Sequence, residues 1–125
     1  MDDSEFEALV AAGIDAIPAE FTAKLNNVAI VIADQPTPEQ RDRLKLRPNT
    51  TLFGLYEGIP ITKRGSGYSL VLPDKITIFK NPILATSGSH EDVKKLVAQT
   101  VWHEIVYHFG LDEREVRAAE SRRHT

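Results

Sequence analysis

Residues 102–110 read Trp-His-Glu-Ile-Val-Tyr-His-Phe-Gly and close the longest helical pattern in the chain, which we expect to run from about His90 to Phe109. The first half of that pattern is amphipathic, and the second half is apolar on nearly every side, which is typical of a buried helix. Two histidines, a glutamate and a tyrosine nevertheless lie in the second half, and buried ionisable groups need partners or a chemical task. Gly110 suits the left-handed position just after a helix end. The stretch therefore predicts both the central helix and a candidate site.

The spacing of His103 and Glu104 is close to the His-Glu-x-x-His pattern of zinc proteases. In that pattern two histidines four residues apart bind one zinc ion, and the glutamate acts as general base. Here Tyr107 stands at the fifth position, and the second histidine, His108, comes one residue later. Positions five apart diverge by about 140° in a regular α-helix, whereas positions four apart differ by about 40°. His108 could therefore reach a shared metal only through a π-bulge, and Tyr107 only as a phenolate.

Shorter patterns outside the long helix predict four strands and several short helices. Four apolar runs predict strands, at residues 28–32, 52–56, 68–72 and 76–79, and the first of these predicts a well-buried strand. The form Ser-x-x-Glu at Ser4 predicts a capping box that opens the first helix. Capping residues and prolines predict further short helices near Pro18, Thr37, Pro82 and Asp112.

The composition is that of a folded globular chain. Its 125 residues are 42% hydrophobic and 26% charged, and this length suits one domain over residues 1–125. The absence of cysteine excludes disulfides, Cys-ligated zinc and iron–sulfur clusters. A net charge of −3 gives no basic footprint for nucleic acid. No apolar run approaches the ~20 residues of a membrane span, and the N-terminus is acidic, so we expect a cytoplasmic protein without membrane contact.

Three separated segments carry a family resemblance. They are Leu-Phe-Gly-Leu-Tyr-Glu-Gly-Ile-Pro-Ile-Thr at 52–62, Leu-Val-Leu-Pro-Asp-Lys-Ile-Thr-Ile-Phe at 70–79, and Thr-Val-Trp-His-Glu-Ile at 100–105. In this order they resemble the small bacterial zincin-like metallopeptidases, also called minimal zincins. The resemblance implies an α+β (or α/β) fold, in which a small mixed sheet packs against a long active-site helix with further helices at its flanks.

The resemblance also implies roles for individual residues. His103 matches the first zinc ligand of the family, and Glu104 matches the general base. Gly110 matches the glycine that turns the chain back toward the metal, and Glu113 falls where the acidic third ligand lies. The second ligand position holds Tyr107, so that role does not carry over to this chain.

Two function hypotheses of different classes follow. The first is a zinc-dependent metallopeptidase that acts on peptides or unstructured proteins, or a version of one that is weakened or inactive because Tyr107 replaces a ligand. The alternative is a non-catalytic zincin-like protein, which either binds a peptide or partner and has a decayed metal site, or is a stable structural domain with a vestigial cleft. Retention of Glu104 and Glu113 favours the first, and loss of the second histidine favours the alternative. For Tyr107 and His108, packing roles are favoured over metal ligation. Family members can dimerise, so the resemblance also allows a homodimer.

Overall fold

The computed structural model describes residues 1–22, 28–58, 74–110, 114–115 and 117–118, and of residues 107 and 108 it describes the backbone alone. Short helices precede and separate three strands, and a long helix ends the main body of the fold. In chain order the elements are α1 (Asp3–Asp15), α2 (Ala19–Thr22), β1 (Val28–Ala33), α3 (Pro38–Arg43), β2 (Gly54–Glu57), β3 (Asp74–Phe79), α4 (Lys80–Thr86) and α5 (His90–Phe109).

The three strands form one mixed sheet in the order β1-β3-β2. β1 runs parallel to β3, with Val28 opposite Asp74, and β2 runs antiparallel to β3, with Gly54 opposite Ile78. The parallel pair requires a crossover connection, and the chain supplies α3 and β2 within it. The predicted α+β class, with a small mixed sheet and a long helix, is therefore confirmed.

Helix α5 is the centre of the core and has the bounds that its hydrophobic pattern predicts. It packs against the sheet and against α1, whose Gly13 lets the two helices approach: a Cβ there would lie 3.3 Å from the Cα of Ala98. Gly110 follows α5 with a φ of 63°, as predicted. The buried core draws on α1, β3, α4 and α5, through Phe6, Val10, Ile76, Ile78, Ile83, Val93, Val97, Val101, Trp102 and Ile105.

Two local predictions near the N-terminus are wrong in detail. Helix α1 is capped by Asp2, whose side chain accepts a hydrogen bond from the Glu5 N–H at 2.8 Å, and Ser4 lies inside the helix. Aspartate is as good an N-cap as serine, and its carboxylate also suits the positive end of the helix. The strand β1 is half-buried along most of its length and Val31 is exposed, because β1 lies at an edge of the sheet that the described strands form and not at its centre.

Other predicted elements divide into confirmed and untested ones. The capping box of α3 is present, since Thr37 and Gln40 exchange side-chain to backbone hydrogen bonds of 2.9 and 3.0 Å. The short helix around Pro82 is also present as α4. The predicted strand at 68–72 lies outside the described residues, and so does most of the predicted helix that follows Asp112.

Candidate active site

A cleft of about 710 Å³ lies beside the part of α5 that carries His103 and Glu104. Helix α5 forms one wall, and residues 51–56, which lead into β2, form the opposite wall. Leu44 and Leu46, just after α3, complete the lining. Ligand sites in proteins are commonly about 300–1,000 Å³ in volume. The cleft is therefore large enough for a segment of another chain.

The cleft follows the outer edge of β2. Gly54, Leu55 and Tyr56 are consecutive, and all three line it. Successive strand residues point to opposite faces of a sheet, so three in a row can line one cleft only where it runs along the edge of the strand. Among the described residues, no strand pairs with β2 on this side. Backbone hydrogen-bonding groups of β2 therefore face the cleft within the described part of the chain.

Glu104 lies in the helical wall and is only 6% exposed. Its stem packs against β2, because a Cβ on Gly54 would lie 3.1 Å from the Glu104 Cγ. Among the described residues, two buried side-chain oxygens have no hydrogen-bond partner, Thr77 Oγ1 and Glu104 Oε2, and only Glu104 lines the cleft. A buried carboxyl oxygen without a structural partner is costly, so it points to a chemical task.

Burial also changes the acidity of this group. Removal from water disfavours the charged form and raises the pKa of the Glu104 carboxyl from an ordinary value of 4.5 to about 7. A carboxyl with a pKa near neutrality can both accept and release a proton at neutral pH. This is the property required of a general base or acid in hydrolysis.

His103 precedes Glu104, and its side chain is exposed. Both residues line the same cleft although neighbouring helix positions differ by about 100° around the axis. The side chain of Glu104 therefore packs against β2, while the imidazole of His103 remains accessible to solvent. An accessible imidazole beside a buried carboxyl is chemically suited to bind a metal ion while the carboxyl handles a proton.

The predicted metal ligands are only partly described. Glu113 and the side chains of Tyr107 and His108 lie outside the described residues, so their predicted roles remain predictions. Within the described residues, no three His, Cys, Asp or Glu side chains form a potential metal site. Of the predicted ligands, only His103 has a described side chain, and its exposed imidazole at the cleft is a donor that suits zinc.

The backbone of α5 bears on the choice between Tyr107 and His108. The helix is α-helical throughout from His90 to Phe109, without a π-bulge in the described backbone. In such a helix position 107 lies on the same face as position 103, and position 108 diverges from it by about 140°. The backbone thus places the position of Tyr107, and not that of His108, on the face of His103.

Leu44 and Leu46 also line the cleft, and the sequence analysis did not predict this role for them. They flank Lys45, the one non-glycine among the described residues with a positive φ, at 55°. The Leu46 N–H donates to the Arg41 carbonyl and the Lys45 N–H donates to the Asp42 carbonyl, at 3.0 and 3.1 Å, which is the Schellman arrangement. The sequence feature that could have identified them is the presence of two leucines in an otherwise polar connection.

Tyr56 and Glu57 connect the cleft to its supports. The Tyr56 hydroxyl donates a 2.8 Å hydrogen bond to Oδ2 of Asp74, which is buried. Glu57 accepts from Nη2 of Arg43 at 2.6 Å and from Nε2 of Gln40 at 3.1 Å, and so ties α3 to the end of β2. Tyr56 therefore lines the cleft, while Glu57 anchors its wall through α3.

A family model of zincin-like metallopeptidases matches residues 25–123, which include the whole sheet, the cleft and α5. The chain belongs to this family. The resemblance seen in the sequence is thereby confirmed, and zinc and peptides are the metal and the substrate class that the family implies. Helices α1 and α2 lie before the matched residues. A search of curated proteins finds no match. None of the described helices is long and apolar enough to cross a membrane.

Proposed function

We propose that this zincin-like protein hydrolyses peptide bonds in extended peptide segments with Glu104 as general base and zinc as cofactor. The observation that carries the proposal is the Glu104 carboxyl, which lines the cleft with a buried oxygen that has no partner among the described residues. A decayed site would gain stability by replacing or pairing that oxygen, because an unsatisfied buried polar atom costs about 1–3 kcal/mol.

The proposed roles follow from chemistry. Glu104 takes a proton from the attacking water and returns it to the leaving amine, which requires a carboxyl that is ionised and not consumed by structural hydrogen bonds. His103 and Glu113 are the proposed metal ligands, and Gly110 turns the chain between them. Zinc, when bound, supplies Lewis-acid polarisation of the scissile carbonyl. Two protein ligands are fewer than the usual three, so we expect weak zinc binding.

The proposed substrate is an extended chain that lies along the edge of β2. Unpaired strand edges recruit extended peptides by forming additional backbone hydrogen bonds. The edge formed by Gly54, Leu55 and Tyr56 faces the cleft that Glu104 lines, so a bound peptide would pass its backbone across the carboxyl. An unstructured protein or a loop could supply such a segment, whereas a folded domain could not.

The test combines zinc titration with hydrolysis of an unstructured protein such as denatured casein. Hydrolysis should rise with zinc saturation, and Glu104→Gln should abolish it while zinc affinity stays unchanged, because a base is not a ligand. Glu91→Gln is the matched control, since Glu91 lies on the same helix and is exposed. Full activity in the Glu104→Gln variant, or activity that is independent of zinc, would contradict the proposal.

The alternative is a non-catalytic peptide-binding protein on the same scaffold. The observation that favours it is Tyr107 at the position where the second ligand of the family stands. The two functions separate in one comparison: the alternative predicts that a peptide binds with equal affinity with and without zinc and is recovered intact. The peptidase predicts zinc-dependent cleavage of the same peptide.

A further inference from the structure

The side chains that line the cleft are mainly apolar. Away from its catalytic end it is built largely from aliphatic and aromatic side chains. Of the described residues that line it, only Tyr56, His103 and Glu104 are ionisable, and the Tyr56 hydroxyl is already bonded to Asp74. No described lysine, arginine or aspartate lines the cleft. The apolar lining comprises Leu44, Leu46, Leu52, Phe53, Leu55 and Leu96.

The wall that carries Leu44 and Leu46 is held by polar contacts. Helix α3 has no buried residue, so apolar packing does not fix it. It is fixed instead by Gln40 and Arg43, which both bond to Glu57, and by the Schellman turn at Lys45. A positive φ at a lysine is unfavourable. This unfavourable φ occurs at the turn that places both leucines in the lining of the cleft, where Leu44 is 41% exposed.

We infer that the cleft is a specificity subsite that takes a large apolar side chain of the bound peptide next to the position of Glu104. This rests on the proposed peptide-binding role of the same cleft. An apolar side chain would remove the exposed leucine surface from water, which stabilises the complex. A charged side chain would lose its hydration and find no opposite charge in the described lining except the catalytic carboxyl. Leucine, isoleucine, methionine and phenylalanine are the side chains that fit this chemistry.

The experiment measures binding separately from cleavage. Fluorescein-labelled decapeptides of glycine, serine and alanine, each with one central leucine, serine, lysine or aspartate, are titrated onto zinc-free protein by fluorescence anisotropy. The leucine peptide should bind at least about tenfold more tightly than the serine, lysine and aspartate peptides. The variant Leu44→Thr with Leu46→Thr should reduce this preference to less than about threefold. Val31→Thr is the matched control, because Val31 is 36% exposed, similar to Leu44, and does not line the cleft.

The outcomes separate this inference from the proposed function. The inference is overturned if the four peptides bind equally, if none binds at millimolar protein, or if the Leu44→Thr, Leu46→Thr variant keeps the parental preference. In contrast, a leucine preference that depends on the two leucines, together with no cleavage after zinc is added, supports the subsite and contradicts the peptidase. A leucine preference with cleavage beside the leucine supports both.

Discussion

Gly54 on β2 approaches Thr100 on α5 so closely that a Cβ at position 54 would lie 2.7 Å from the Thr100 Cγ2. The same Cβ would be 3.1 Å from the Glu104 Cγ and 3.3 Å from the Thr77 carbonyl oxygen. The contact sets the distance between the two walls of the cleft, and it is the reason that Glu104 is buried although it borders open space.

Gly54→Ala should therefore push β2 away from α5. We expect a loss of about 1–3 kcal/mol in the free energy of unfolding, measured by urea denaturation, because the added methyl overpacks a tight contact. Thr100→Ser removes the clashing methyl and keeps the hydroxyl that bonds to the Leu96 carbonyl at 2.7 Å. The double variant should recover part of the loss. If Gly54→Ala is as stable as the parent, the close approach of β2 is not a constraint.

A second prediction concerns Trp102, on the side of α5 that packs into the core. Trp102 is 4% exposed, and the ring of Phe21 stands edge-on to it with centroids 5.6 Å apart. Trp102→Ala should cost about 3–5 kcal/mol in a denaturant melt. Phe21→Ala is the comparison and should cost less, since Phe21 is only half-buried. A loss below about 1 kcal/mol for Trp102→Ala would contradict the core position.

Local sequence signals predicted where the helices and strands lie better than they predicted how deeply each one is buried. The capping box at Thr37 and the bounds of α5 were predictable because each depends on residues within one or two helical turns. The burial of β1 was not, since an all-apolar strand can lie at the centre or at the edge of a sheet, and only the strand order decides. Phe109 was expected in the core and is half-buried, although it packs against Phe21 at 5.4 Å.

The candidate site shows the same division. His103 and Glu104 could be found from their spacing, because the motif lies on one helix. The burial of Glu104 could not, since it depends on packing against Gly54, which is 50 positions away in sequence. The position of Leu44 in the cleft could not be predicted for the same reason. The residues around the end of α3 do not show whether the side chain that follows the helix lines a cleft.

Arg41 should be a positioning residue for the apolar wall. Its Nη2 lies within 2.8–3.2 Å of the carbonyl oxygens of Arg47, Pro48 and Thr50, and so holds the loop between α3 and β2. Arg41→Gln should loosen this loop and reduce the ratio by which the leucine peptide binds more tightly than the other peptides. The variant should remain folded at the temperature of the binding assay. Arg47→Gln is the control, because it removes the same charge from an exposed position. Equal effects of the two variants would contradict a positioning role.

The raised pKa of Glu104 predicts how stability depends on pH in the metal-free protein. Between pH 4.5 and about 7 this carboxyl is ionised in the unfolded chain but protonated in the folded one. The folded state then binds more protons, so its stability should fall as pH rises through this interval, by at most about 3 kcal/mol. Glu104→Gln removes this dependence.

Urea melts in the presence of a chelator at several pH values between 4 and 8 measure the effect. The stability of the Glu104→Gln variant relative to the parent should increase with pH up to about 7 and then level off. A constant difference between Glu104→Gln and the parent would mean that the carboxyl ionises normally in the folded protein.

The last prediction restores the metal motif. Exchanging the pair, Tyr107→His with His108→Tyr, places an imidazole four residues after His103, and α5 is α-helical over this stretch. Positions four apart share a helix face, so the variant should bind zinc at least about tenfold more tightly than the parent in equilibrium dialysis. Binding should weaken below about pH 6.5, because a ligating imidazole must be neutral.

Single variants separate this effect from a general change at the site. His108→Tyr alone removes an imidazole without adding one at position 107, so its zinc affinity should equal that of the parent. Adding Glu104→Gln to the exchanged pair should leave zinc bound and abolish hydrolysis, since the carboxyl acts as base and not as ligand. If the exchanged variant folds and binds zinc no better than the parent, positions 103 and 107 do not flank a metal site. Stoichiometric nanomolar binding by the parent would instead show that its own residues already complete the zinc site.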